Sequence, residues 1–148
     1  MPGLRHITLS ASASAFGRSL AFYDAALAPL GLDRAQEFGD EEENDAAVEA
    51  AGYGPADAPP VLWLVVGPTP TRGGHVAFTA RSRGEVERFF AAALGAGGAP
   101  RQAPRRWEIY RPGYYGAVVA DPDGNLVEAA LDEPDQGTAG PGSAREVR

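Results

Sequence analysis

Cysteine and lysine are both missing from the 148 residues of this chain. Without cysteine there is no disulfide, no thiolate metal ligand and no cysteine nucleophile. All thirteen basic residues are arginine, which excludes Schiff-base and lysine-nucleophile chemistry as well. The chain also lacks an apolar run of about 18 residues, the length of a membrane span. We therefore expect neither membrane insertion nor secretion, and a cytoplasmic location is the default expectation.

The charge balance is negative, with a net charge of -7 at pH 7. Proteins that bind nucleic acids present a basic face to the phosphates, so a nucleic-acid partner is not expected. The 44% apolar fraction is sufficient for a folded core. Six acidic residues cluster in a run that predicts a solvated loop, with a carboxylate metal cluster as the second interpretation: Glu37, Asp40, Glu41, Glu42, Glu43 and Asp45.

The sequence contains an internal repeat that opens at each of its two histidines. Residues 6–9 match residues 75–78, and each string is followed by apolar residues at the spacing of three and four that a helix requires. Ser82 and Glu85 predict a capping box at the start of the second helix. Each half therefore opens with a strand and continues into a helix.

Shorter apolar or alternating runs after each helix predict strands. They cover residues 46–51 and 61–66 in the first half, and 108–110, 114–120 and 125–131 in the second. The turn at 121–124 joins the last two strands as a hairpin. The sequence thus predicts an α+β fold of two βαβββ modules in tandem. Module one covers about residues 3–67 and module two about 73–131, with a mobile tail at 132–148.

Three side chains form a candidate metal site. His6 and His75 occupy the same place in the repeat, so a pseudo-twofold arrangement would point both imidazoles into one cavity. Glu128 lies among apolar residues of a predicted strand, where an unpartnered carboxylate is costly to bury. Two imidazoles and one carboxylate can bind a divalent metal and leave positions for water or substrate. The competing interpretations are structural histidines and a surface glutamate paired with arginine.

The repeat also predicts residues that bind the substrate. Thr8 shares a strand face with His6, and Trp63 stands where the second half has Glu128, so a symmetric fourth ligand is absent. Both are expected to line the cavity, although a plain strand or core role is the alternative. The pocket rim has six candidates, of which Arg106 and Tyr115 are the predicted substrate contacts: Arg106, Trp107, Tyr110, Arg111, Tyr114 and Tyr115. Because side chains alternate, Tyr114 and Tyr115 must point to opposite sides.

Four strings occur in a characteristic order: HITL from His6, SLAFYDAALAPLGL from Ser19, GHVAF from Gly74 and YYGAVVADPDGNLVEA from Tyr114. Together they resemble the vicinal oxygen chelate superfamily, which contains glyoxalase I, bleomycin-resistance proteins, fosfomycin-resistance transferases and extradiol dioxygenases. The resemblance covers about residues 3–131. It implies that each module forms half of a curved mixed sheet around a metal-bearing cavity. The metal positions of the family fall on His6, His75 and Glu128.

Departures from the family pattern separate its members. Glyoxalase I has a fourth ligand, usually Glu, where this chain has Trp63. Extradiol dioxygenases use further active-site histidines, and this chain has no third histidine. Fosfomycin-resistance transferases are similar at His6-x-Thr8 and in the string from Leu62 to Leu64, but their basic phosphonate-binding group has no match in residues 101–111.

We therefore expect a metal-dependent enzyme in which a small oxygenated substrate chelates a divalent Fe, Mn, Co, Ni or Zn ion, metals that this ligand set does not distinguish. The reaction type stays open among lyase, isomerase, thiol transferase and dioxygenase. One alternative is a metal-independent, ligand-sequestering protein of the bleomycin-resistance type, and another is a degenerate module kept for assembly. The sequence also leaves a homodimer open, because such folds often pair through their helices and sheet edges.

Overall fold

The computed structural model describes residues 3–39 and 48–134. The elements of the first half are β1 (Ile7–Ala11), α1 (Phe16–Leu27), β2 (Asp33–Gly39), β3 (Val48–Gly54) and β4 (Leu62–Val66). Those of the second half are β5 (His75–Thr79), α2 (Arg83–Gly95), β6 (Ala99–Arg106), β7 (Tyr114–Ala120) and β8 (Leu126–Asp132). The predicted arrangement of two βαβββ modules in tandem is confirmed.

Each module carries its own four-stranded mixed sheet, in the order β1-β4-β3-β2 and β5-β8-β7-β6. The first two strands of each order are parallel and the others antiparallel. Thr8 pairs with Trp63 in the first sheet, as Ala77 pairs with Glu128 in the second. Trp63 and Glu128 therefore occupy equivalent positions, as the repeat predicted. Among the described strands, none of the first sheet pairs with the second.

Two strands differ from the sequence prediction. The expectation contained no strand at β2, and it placed a strand at 108–110 where the chain turns. In that turn the Tyr110 N–H donates to the Trp107 carbonyl at 3.0 Å. The sequence prediction also had no strand at β6, which contains Pro100 and Pro104. Both β2 and β6 are edge strands with register shifts, and such strands tolerate proline and lack a clear apolar alternation.

The start of α2 follows the predicted capping pattern in part. Ser82 Oγ accepts a hydrogen bond from the Glu85 N–H at 3.2 Å. The Glu85 carboxylate reaches back to Arg81 instead of Ser82, and it accepts from the Arg81 N–H and Nε, each at 2.8 Å. Burial acts to raise the pKa of Glu85, but these hydrogen bonds hold it below its usual value.

Replacement of the cap residue Ser82 is expected to lower the stability of the protein by a small amount. We expect Ser82→Ala to lower the free energy of unfolding by about 1 kcal/mol, because the Glu85 N–H loses its acceptor. Urea denaturation measures this change. Ser14→Ala is the matched control, since its hydroxyl contacts the exposed hydroxyl of Ser12 and no other hydrogen-bond partner among residues 3–39 and 48–134. Equal stability of the two variants would contradict the capping role.

The two modules share one core through their helices. α1 lies on the first sheet, where the Tyr53 hydroxyl donates to Asp24 at 2.9 Å, and it packs against α2. A Cβ atom added at Gly98, next to β6, would lie 2.6 Å from the Phe22 ring of α1. The first module therefore packs on the side of the second sheet that α2 covers. We call the other side of each sheet, which no helix covers, its open face.

The second module extends beyond the predicted end at residue 131. Asp132 belongs to β8, and the Glu133 carboxylate accepts from Arg83 Nε at 2.7 Å. The rest of the predicted tail, residues 135–148, lies outside the described residues, as do residues 40–47 of the acidic run. Glu37 of that run belongs to β2 and pairs with Arg34 at 2.8 Å.

Neither helix of the described chain is long and apolar enough to cross a membrane.

Candidate metal centre

The open face of the second sheet brings two of the three predicted metal ligands together. His75 opens β5 and Glu128 lies in the middle of β8, on strands that pair directly. His75 Nε2 lies 2.7 Å from Glu128 Oε1. The Glu128 side chain is only 10% exposed, whereas that of His75 is 50% exposed. A carboxylate and an imidazole are donor types that divalent metals use, and here the two lie side by side.

Tyr114 completes the surroundings of Glu128. It faces the same side of the hairpin, and its hydroxyl donates to Glu128 Oε2. Burial raises the pKa of Tyr114 above its ordinary value, and the hydrogen bond to Glu128 adds to the shift, so the hydroxyl stays protonated. The two carboxylate oxygens of Glu128 thus have different partners.

An aromatic ladder leads from the turn to Tyr114. Its members are Trp107, Tyr110 and Tyr114. The ring centroids of Trp107 and Tyr110 are 6.4 Å apart, and those of Tyr110 and Tyr114 are 5.3 Å apart in an edge contact. The Trp107 indole N–H is fixed by the Gly116 carbonyl at 3.1 Å. Tyr110 is 57% exposed, so the ladder offers exposed ring surface next to Tyr114.

A cavity of about 190 Å³ lies against Tyr114, and neither His75 nor Glu128 lines it. Tyr114 and Asp132 line it on one side and Ala77 and Thr79 on the other. The two small residues Ala77 and Ala130 leave room above the sheet. The cavity therefore meets the site through Tyr114, whose hydroxyl donates to Glu128.

The open face of the first sheet carries the other predicted residues. His6 lies just before β1 and is exposed, and Thr8 follows it on the same side of the strand. Trp63 is half-buried and stacks on Phe38 of β2, with ring centroids 5.6 Å apart and an interplanar angle of 21°. Phe38 is itself 61% exposed. This face is apolar and aromatic where the second sheet has the carboxylate.

His6 does not join His75 and Glu128 within one chain. Across the described residues, no group of three His, Asp or Glu side chains is close enough to hold a metal ion. The reason is the packing of the modules, because the first module lies on the helix-covered side of the second sheet. Two of the predicted ligands thus lie together, and the third lies on another surface of the chain.

The structure does not bring Tyr115 and Arg106 to the open face. Tyr115 is buried against α2, and its hydroxyl donates to Glu87 at 3.1 Å. Arg106 pairs with Tyr115 in the sheet and binds Glu133 at 3.3 Å. Counting across the hairpin turn places a different tyrosine on the open face, because Val118 faces Glu128 and every second residue of β7 shares that side. That residue is Tyr114.

A comparison with protein families identifies the group to which this fold belongs. The model of the Glyoxalase/Bleomycin resistance protein/Dioxygenase superfamily matches residues 3–129. The chain belongs to this superfamily. A comparison with curated proteins gives no significant match.

Several solved structures have the same fold. A glyoxalase/bleomycin resistance protein from Albidiferax ferrireducens T118 is 22% identical with a TM-score of 0.64, and the match covers 84% of this chain and 94% of that one. The fosfomycin resistance protein FosX from Listeria monocytogenes, solved as a variant with Mn(II) and 1S,2S-dihydroxypropylphosphonic acid, is 20% identical with a TM-score of 0.58, covering 87% and 91%. TioX from Micromonospora sp. ML1 is 12% identical with a TM-score of 0.59, covering 86% and 98%.

Proposed function

We propose that this superfamily member is a metal-dependent enzyme that acts on a small oxygen-bearing molecule. His75 and Glu128 of one copy and His6 of a second copy would hold the metal. The observation that carries the proposal is the 2.7 Å contact between His75 Nε2 and the buried Glu128 carboxylate. A bound divalent metal supplies Lewis-acid stabilisation of negative charge that develops on a substrate oxygen. The Mn(II) in the FosX complex supports such a centre in this fold.

The position of His6 supports a homodimer as part of this proposal. Because the first module packs on the helix-covered side of the second sheet, the open faces of one chain cannot close on each other. If a second copy lays its first open face over the second open face, His6 reaches Glu128, and Thr8 and Trp63 line the substrate cavity. In a twofold dimer this contact occurs twice, which gives two equivalent sites.

The charges near the site favour an uncharged substrate over a phosphonate. Arg106 binds Glu133 and Glu108, and Arg111 lies 3.4 Å from Asp132. Arg105 stacks on the Trp107 ring, 3.7 Å from its centroid. These guanidinium groups are therefore engaged, and the aromatic ladder is the main ring surface that a substrate can contact.

The metal content of the purified protein tests the proposal. We expect near-stoichiometric first-row metal in the unaltered protein and a loss of about tenfold or more in Glu128→Gln, since the amide is a much weaker ligand. Elemental mass spectrometry measures both. Glu87→Gln is the matched control, because Glu87 lies on α2 against the other side of the sheet. Absence of metal in the unaltered protein after reconstitution would refute the enzyme hypothesis.

Ligand sequestration without a metal is the second candidate function. The exposed aromatic rings of Phe38 and Tyr110 support it, because aromatic surface binds planar molecules without any metal. Removal of the metal discriminates between the two functions. Turnover would be abolished in the enzyme, whereas ligand affinity would be unchanged in the sequestering protein.

A further inference from the structure

Glu128 is held at both of its carboxylate oxygens. Oε1 faces His75 at 2.7 Å, and Oε2 accepts the hydrogen bond from the Tyr114 hydroxyl. The terminal torsion of a glutamate is broad and poorly defined by its own chemistry. The orientation of this carboxylate is therefore set by its two partners, and of these His75 is itself a proposed metal ligand.

The ring of Tyr114 is held in place by aromatic neighbours. Its ring makes an edge contact with Tyr110, which in turn lies against Trp107. The Trp107 indole is anchored to the Gly116 carbonyl on the neighbouring strand. The Tyr114 hydroxyl thus reaches Glu128 Oε2 from a ring that packs against Tyr110.

We propose that Tyr114 is a positioning residue for the metal ligand Glu128. By donating to Oε2, its hydroxyl occupies one carboxylate oxygen and turns the other, Oε1, towards His75 as the single oxygen available to a metal. This inference rests on the proposed function. Hydrogen-bond partners of metal ligands typically change metal affinity 10–100-fold when they are removed, because the ligand loses its orientation.

The neighbouring tyrosine provides a matched control. Tyr115 is on the same strand but faces α2, where its hydroxyl donates to Glu87. Tyr114→Phe and Tyr115→Phe each remove one tyrosine hydroxyl from β7, and only the first removes a partner of Glu128. A general effect of hydroxyl loss on the sheet would appear in both variants.

The test is a titration of the full-length proteins with Co(II) and with Mn(II) against a competing chelator. For Tyr114→Phe we expect the metal Kd to rise about 10–100-fold and the visible absorption of bound Co(II) to change, because Glu128 can then present both oxygens. Tyr115→Phe should keep the Kd and the spectrum of the unaltered protein. The melting temperatures of the metal-free variants show whether either substitution acts through folding.

Two results would overturn the inference, and they can be told apart. If Tyr114→Phe binds Co(II) and Mn(II) within about twofold of the unaltered protein, well below the expected loss, Tyr114 does not position Glu128, while the metal centre stands. If the unaltered protein binds neither metal, the proposed function fails together with the role of Tyr114.

Discussion

Chains that carry His6→Ala and chains that carry Glu128→Ala should each lack metal, yet a heterodimer of the two should regain it. In the proposed dimer each site takes His6 from one copy and the His75–Glu128 pair from the other. The heterodimer therefore contains one site that has lost two ligands and one intact site. We expect it to bind about half as much metal per chain as the unaltered dimer.

Co-expression with two different affinity tags and sequential purification yields the heterodimer, and elemental mass spectrometry gives its metal content. The matched control is a heterodimer of His75→Ala and Glu128→Ala chains. Both of these ligands belong to the same half-site, so neither site of that heterodimer is complete. A heterodimer of His6→Ala with Glu128→Ala that forms but binds no metal would contradict ligand sharing between copies.

The internal repeat made the fold and the equivalence of the halves predictable. Two histidines at the same place in two similar strings indicated matched opening strands, and β1 and β5 are those strands. The same alignment put Trp63 opposite Glu128, and the strand registers agree with it. Such features are local, because each depends on the order of apolar and polar residues within one strand or helix.

The edge strands β2 and β6 were not predicted, and the reason is physical. β2 has exposed side chains along most of its length, so neither of its faces carries a continuous apolar stripe. β6 includes two prolines and two register shifts, which interrupt the period of two by which strands are recognised. Edge strands need less apolar surface than central strands, so their sequences lack the apolar alternation from which a strand is predicted.

The relative placement of the modules could not be predicted from patterns. A repeat is compatible with open faces that meet within one chain or between two copies. The choice depends on contacts between residues far apart in sequence, such as Phe22 with Gly98 and Tyr23 with Asp121. The Phe22 ring can pack against Gly98 because glycine has no side chain. The sequence around Gly98 does not indicate that Phe22 is its contact. The sequence repeat therefore predicts a shared site for His6 and Glu128, but it carries no information on the packing that keeps the two apart within one chain.

The contact between Tyr23 and Asp121 is expected to dominate the stability of this packing. Asp121 is buried at the end of β7, and its Oδ2 accepts from the Tyr23 hydroxyl at 2.5 Å and from Asn125 Nδ2 at 3.1 Å. Its Oδ1 accepts from the Asp123 and Asn125 N–H groups at 2.8 and 2.9 Å. Asn125 in turn binds the Gly74 N–H at 2.9 Å. One carboxylate thus joins α1, the hairpin turn and the start of β5.

We expect Asp121→Ala to lower the free energy of unfolding by about 3–5 kcal/mol, because several buried donors lose their acceptor and each costs about 1–3 kcal/mol. Tyr23→Phe should cost about 1–2 kcal/mol, since it removes one hydroxyl and leaves the turn amides bound. Guanidinium denaturation at pH 7 measures both.

Asp123→Asn is the control for the loss of a carboxylate from this turn. Burial and the neighbouring Asp121 raise the pKa of Asp123, so its ionised form is less favourable in the folded than in the unfolded chain. An acid of this kind costs stability as the pH rises through its folded pKa, and its neutralisation should leave the stability at pH 7 unchanged or slightly higher. If Asp121→Ala were as stable as Asp123→Asn, Asp121 would not hold the two modules together, and the separation of His6 from Glu128 within one chain would need another cause.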